Sequence, residues 1–198
     1  MSLQHWWLLM TKIFRSFLLL LSCLLLNAGS LSAETTVEVR SDAFLPAAHR
    51  FSDVYGKCRV SIGVEASTSI YEYFDLWMGY DQFNKKGHVL GCGNSKINLS
   101  TFSGGLKKSY CFHSRFIGYL GIGFSVADVI VKNWVDPFSM RSHKTSFGGV
   151  LKSGAYIFVT EHVFFDLFAD YYYQPIHYHY TTNCGGFRLG IGLGVSLF

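Results

Sequence analysis

The chain carries little charge. Asp, Glu, Lys and Arg make up 15% of its 198 residues, against about 25% in an ordinary soluble domain. Proline is scarce at 3 residues, so few strand interiors are interrupted. There is no Lys/Arg-rich run, and the formal net charge is only +4. Nucleic-acid binding is therefore not expected. Neither a CxxC pair nor a Cys/His spacing suited to a metal occurs, so no metal or other cofactor is expected. Beyond the first 33 residues no apolar run reaches 18 residues, which excludes membrane crossing by a helix there.

Aromatic and small residues are abundant instead. The chain has 18 Phe, 12 Tyr and 20 Gly, and 49% of it is hydrophobic. The first 33 residues read as a secretory signal peptide. Lys12 and Arg15 precede the apolar stretch "SFLLLLSCLLLNAGSLSA", whose core is short for a bilayer span of about 20 residues. Met10 is an alternative start. Cleavage fits after Ala33, with Ser30 as a competing site. The apolar run continues past Cys23, which argues against lipidation at "LLSC". A single domain, 34–198, remains. It keeps four cysteines, Cys58, Cys92, Cys111 and Cys184, in an environment where pairing is allowed.

That domain alternates with period two. From Lys57 to Ser67, Cys58, Val60, Ile62, Val64 and Ala66 share one face, and Lys57, Arg59, Ser61, Gly63, Glu65 and Ser67 the other. From Val163 to Tyr173, Val163, Phe165, Leu167 and Ala169 oppose Phe164, Asp166, Phe168 and Asp170. Phe74, Leu76, Met78 and Tyr80 oppose Asp75, Trp77, Gly79 and Asp81. A helix would scatter such a pattern around its surface, whereas a strand sorts it. Soluble strands usually take about 5–6 residues, and tilted membrane strands need about 9–11. The pattern predicts strands over 36–45, 54–67, 70–83, about 97–107, 115–129, 147–159, 163–173 and 186–198. The connections "STS", "KSYCFH" and "TEH" are short. Those around "NKKGHVLGCGNS", "IVKNWVDPFSMRSHKTS" and "QPIHYHYTTNC" are long. Eight antiparallel strands with alternating short turns and long loops predict a closed transmembrane β-barrel, all-β, with both termini on the short-turn side.

The motifs "FIGYLGIGFSVADV", "SFGGVLKSGAYIFVTEHVFFDLFADYYYQP" and "RLGIGLGVSLF" resemble the small outer-membrane β-barrel domain of the OmpA/OmpW type. The likeness is close over 115–198 and lies in pattern alone before that. The opening "DAFLPAAHRFSDVYG" resembles that of barrels from chlamydia-like bacteria. The resemblance implies a bacterial outer-membrane location, lipid as surroundings, and assembly machinery that reads the last strand. Leu197 and Phe198 would form that assembly signal. Phe198 departs from the family pattern, because it falls on the even face with Arg188, Gly190, Gly192, Gly194 and Ser196. A bulge, fraying or a weaker signal would each account for it.

The polar face of such a barrel points into the lumen. It would carry the acids Glu38, Asp42, Glu65, Asp75, Asp81, Asp166 and Asp170, and the bases Arg40, Lys57, Arg59, Arg115, Lys152 and Arg188. An eight-stranded barrel is just wide enough for side chains to fill. Nearly balanced charge there fits a plugging salt-bridge network. A narrow ion path is the alternative, and a lining of one sign would have favoured it. His177 and His179 in "HYHY" lack further ligands. His143 with Ser142 or Ser146 imitates a hydrolase pair without a specific motif. "GIGLG" runs into the chain end rather than opening a helix, which rejects a dinucleotide loop. Cys92 and Cys184, in loops on the outer side, are a candidate disulfide, and Cys111 is a candidate for cross-linking to envelope proteins. The expected role is structural or surface-presenting, without enzymatic activity. The loop 131–146 is available to host or envelope partners. A small-solute or ion channel is the second expectation, and a lipid-modifying enzyme the third.

Overall fold

The computed structural model describes residues 34–48, 59–89, 93–135, 138–177 and 181–197. The proposed signal peptide, Cys58, Cys92, Lys57 and Phe198 lie outside them. The described residues form ten strands: β1 (Thr35–Pro46), β2 (Arg59–Tyr71), β3 (Phe74–Val89), β4 (Gly93–His113), β5 (Phe116–Val135), β6 (Phe138–Phe158), β7 (Val163–Tyr173), β8 (Pro175–His177), β9 (Thr181–Asn183) and β10 (Gly186–Leu197). Eight of them close into one antiparallel barrel in the order β1-β10-β7-β6-β5-β4-β3-β2. β8 and β9 form a separate small hairpin between β7 and β10. This is the all-β barrel that the alternation predicts.

Closure is carried by β10. Its residues pair with β1 from Thr35↔Leu197 to Pro46↔Gly186, and with β7 from Gly186↔Tyr172 to Val195↔Val163. No backbone edge is left along these strands, the condition that hydrocarbon imposes. Thr35, Leu197 and the turns at 72–73, 114–115 and 159–162 lie at one end, which is therefore the short-turn end.

The exterior is apolar over a band. Ile122, Phe124, Phe147, Leu151, Ile191 and Leu193 stand out of the barrel, with Phe124 82% and Phe147 75% exposed. In water such a surface would be a severe liability, whereas in a bilayer it is the solvated face. Aromatics mark both rims. Tyr71, Tyr73, Tyr110, Phe112 and Phe116 ring the short-turn end, and Tyr173, Phe187, Phe124 and Phe147 the other. Two such girdles are the interfacial signature of a transmembrane barrel.

Several boundaries differ from the sequence-based expectation. The turn expected at "STS" sits at 72–73, and the one at "KSYCFH" at 114–115, because aromatic residues carry the strands out to the interface. β3 and β4 pair from Phe74↔Lys108 to Val89↔Gly93, and β5 and β6 from Phe116↔Ile157 to Val135↔Phe138. The stretches "NKKGHVLGCGNS" and "IVKNWVDPFSMRSHKTS" therefore form extended hairpins rather than loops, as far as they are described. "QPIHYHYTTNC" contributes the hairpin β8–β9. On β10 the alternation runs unbroken to Leu197, which is 41% exposed on the lipid side.

The belt yields a depth-dependent expectation. Ile122→Arg, near mid-belt on β5, should cost about 2–4 kcal/mol of folding free energy, and Gln82→Arg, at the rim, about 0–1. Denaturant unfolding in lipid vesicles checks this, and equal costs at both depths would contradict the assigned belt.

Candidate functional site

The lumen is filled by charged and aromatic side chains. Among the described residues its buried acids are Glu38, Asp42, Glu65, Asp81, Asp166 and Asp170, and its buried bases Arg40, Lys107, Lys152 and Arg188. Glu65 of β2 is the centre. Arg40 Nη1 donates to its Oε2 at 2.7 Å, Lys107 Nζ lies 3.3 Å from its Oε1, and Lys152 Nζ donates to Oε2. Arg40 also reaches Asp170 at 3.0 Å, Asp166 at 3.7 Å and Glu38 at 3.8 Å. Its guanidinium lies 3.5 Å from the Phe168 ring centroid. Lys152 adds Asp170 at 3.4 Å and stands over Trp77. Arg188 of β10 pairs with Asp81 of β3 at 2.6 Å and stacks on Tyr172. The Tyr119 hydroxyl donates to Asp166 at 2.9 Å, and Lys107 Nζ donates to Tyr156.

The placements of the sequence-predicted residues divide into four groups. Glu38, Arg40, Asp42, Glu65, Asp81, Lys152, Asp166, Asp170 and Arg188 are buried in the lumen. Asp75 is half-buried near the short-turn end and accepts hydrogen bonds from Ser69 and Ser109, both at 2.7 Å. Arg115 is exposed in the turn between β4 and β5 rather than inside, because that turn lies later in the chain than the period-two reading placed it. Lys57 and the side chain of Arg59 lie outside the described residues. Lys107 is a lumen cation that the sequence reading missed. "SGGLKKSY" puts Ser103, Gly105, Lys107 and Ser109 on the inner face, but Gly104 and Lys108 on the outer face hide the alternation.

Apolar layers close the lumen on either side of this network. Toward the short turns, Tyr119, Tyr156, Phe164 and Phe168 pack together with Ile117 and Phe158. The Tyr119 and Tyr156 rings stack at 4.7 Å and Phe164 meets Tyr156 edge-on at 4.8 Å. Below them opens a vestibule of about 590 Å³ lined by Glu34, Arg115, Ile117, Phe158 and Glu161. At the opposite end Phe44, Phe83, Ile97, Leu99, Val129 and Ile176 form an apolar plug. The alternating glycines of β10 make this filling possible. A Cβ on Gly194 would lie 2.3 Å from the Phe164 ring, and one on Gly190 2.5 Å from Phe168.

His143 and Ser146, one of the two hydrolase-like pairings in the sequence, are set apart. His143 bonds Asp128 on the exterior of the β5–β6 hairpin, whereas Ser146 is buried and donates to the Pro175 carbonyl at 2.7 Å. The two side chains leave β6 on opposite faces. His177 and His179 in "HYHY" lie beyond the described side chains. Among the described residues no group of three or more His, Cys, Asp or Glu is placed to hold a metal. Cys184 packs against the apolar plug, and burial pushes its thiol up to about 11, while Cys111 is exposed. Cys92, the proposed disulfide partner of Cys184, lies outside the described residues.

No protein-family model and no curated protein matches the chain. Solved structures do. OprG of Pseudomonas aeruginosa matches with TM-score 0.67 at 13% identity, covering 83% of this chain and 96% of that one. Neisserial surface protein A gives 0.60 at 17%, covering 83% and 96%. Ail, the attachment invasion locus protein of Yersinia pestis, in complex with the heparin analogue sucrose octasulfate, gives 0.56 at 8%, covering 83% and 99%. The chain thus shares the fold of small bacterial outer-membrane β-barrels, as its motifs imply. Nothing in these likenesses supports the chlamydia-like origin.

Two expectations follow from the lumen and the thiols. Glu65→Ala leaves three buried cations short of their common partner and should cost about 3–5 kcal/mol. Glu38→Gln should cost far less, because both Glu38 oxygens lack a hydrogen-bond partner. Unfolding titrations of the two variants test this, and comparable losses would remove Glu65 from the centre. After reduction, iodoacetamide at neutral pH should label Cys111 well before Cys184, since the thiolate is the nucleophile. Equal labelling rates by peptide mapping would contradict the buried position of Cys184.

Proposed function

We propose that the chain is an integral bacterial outer-membrane barrel with a structural and surface-presenting role. One observation carries this reading: the charged lumen residues are sealed from water. Lys107, Lys152, Asp166 and Asp170 expose 2% or less of their surface, and Arg40, Glu65 and Arg188 no more than 4%. A hydrated path along the axis would have to wet the charges that line it. The apolar plug and the aromatic layer bracket those charges instead. A solute channel is therefore the weaker reading.

The outward hairpins favour presentation. Above the apolar belt the β3–β4 and β5–β6 hairpins keep a buried apolar interior and turn polar side chains outward. Paired strands, rather than irregular loops, carry these side chains above the belt as far as the hairpins are described. The separation of His143 from Ser146 disfavours lipid hydrolysis, so the proposal is a non-enzymatic one. Ail, a barrel of this fold, is solved in complex with the heparin analogue sucrose octasulfate.

Planar-bilayer recording decides between the two main readings. Purified protein should give no discrete conductance steps, and regular steps would overturn the sealed-lumen reading. Lipid A mass spectra from cells with and without the protein should be identical, and a lost or gained acyl chain would restore the enzyme.

A further inference from the structure

The register of the two long hairpins aligns four cations. Lys86 of β3 pairs with Lys96 of β4, Lys96 with Lys132 of β5, and Lys132 with Arg141 of β6. All four are exposed, on the outer face. Adjacent strands lie about 4.8 Å apart, so the row spans about 15 Å. Like charges directly opposite one another are destabilising. The next row toward the membrane is Asn84, Asn98, Ile130 and His143, with no carboxylate in it. Asp128, one row further, is engaged by His143 and by the Thr145 hydroxyl.

Height selects the ligand source. On β4 the last apolar belt residue is Phe102, and on β5 it is Val126; Lys96 and Lys132 each lie six residues further out. Six residues on a strand tilted by about 40° rise about 15 Å. That places the row beyond the level of lipid headgroup phosphates and into the layer that soluble or matrix polymers reach. A linear chain carrying a sulfate every few ångströms matches four cations in a straight row.

We infer that the Lys86–Lys96–Lys132–Arg141 row is a binding site for a linear sulfated polysaccharide. The inference rests on the surface-presenting reading and names its ligand class. The row is the contact surface, the sulfates are its acceptors, and association falls with ionic strength. Specificity resides in charge density along the polymer.

The test uses the whole barrel refolded into zwitterionic nanodiscs and passed over immobilised heparin. Lys96→Gln with Lys132→Gln should weaken binding at least tenfold. Lys108→Gln with Arg115→Gln, the same charge change at the short-turn end of the barrel, should leave it within twofold. Desulfated heparin should fail to compete. Gel migration of boiled and unboiled samples verifies that each variant is folded. Unchanged heparin affinity in the row variant would overturn the site while leaving the presenting role intact. Competition by single-stranded DNA as strong as by heparin would reduce the row to a generic polyanion contact and overturn the sulfated-glycan assignment. Row-dependent binding to lipopolysaccharide vesicles without heparin binding would also overturn it, in favour of lipid phosphate. Conductance in the same preparation would instead overturn the reading on which the inference rests.

Discussion

The structure depends on one carboxylate, Glu65 of β2, and on the cations gathered around it. Through Arg40, Lys107 and Lys152 it links β1, β4 and β6 across the lumen. Arg40 and Lys152 extend the links to Asp170 on β7, and Tyr119 ties β5 to Asp166 on the same strand. Arg188 and Asp81 join β10 to β3. Every barrel strand therefore reaches another through the interior as well as through its neighbours' backbone. Replacing a buried ion network by apolar residues is often neutral in stability. What the network supplies here is register: a one-residue slip would turn each of these charges toward lipid.

The second organising feature is an inversion of polarity along the strands. On β5, Leu120, Ile122, Phe124 and Val126 face lipid, and then Ala127 and Val129 turn inward to be buried. β3 makes the same change between Tyr80 and Phe83, and β4 between Phe102 and Leu99. Inside the bilayer the apolar face is the outer one; above it the surroundings are water and the apolar face must be the inner one. The shift of phase, at matching levels on three neighbouring strands, marks the membrane boundary. It also explains why the plug forms where it does, since the inward residues above the boundary have only each other to pack against.

The inversion accounts for what was legible in the sequence. β7 and β10 lie within the belt, and their faces follow directly from alternation. The long hairpins do not, because a run such as Ile97, Leu99, Phe102, Leu106 changes phase midway and looks like lost periodicity. Reading the phase change itself as a signal would have extended both hairpins. Nine of the lumen charges could be placed by counting twos. Arg115 could not, since its position depends on where an interfacial turn falls. Lys107 was hidden by glycine and lysine on the facing side of its strand. The pairing of particular acids with particular bases is a property of closure and shear, which no single strand encodes.

Closure also decides what occupies the axis. An eight-stranded ring leaves room for side chains alone, and β10 gives up most of its share by placing Gly190, Gly192 and Gly194 inward. Among the described residues that space is filled from the next strand. Phe164 and Phe168, leaving the adjacent strand β7 with the same inward phase, extend into it. Phe168 then presents its face to Arg40 and Phe164 its edge to the Tyr156 ring. Glycine on one strand and phenylalanine on the next are thus two halves of one packing solution. Arg40 is thus held from one side by carboxylates and from the other by a ring. The same side chains that fill the axis therefore tie the strands of the wall to one another.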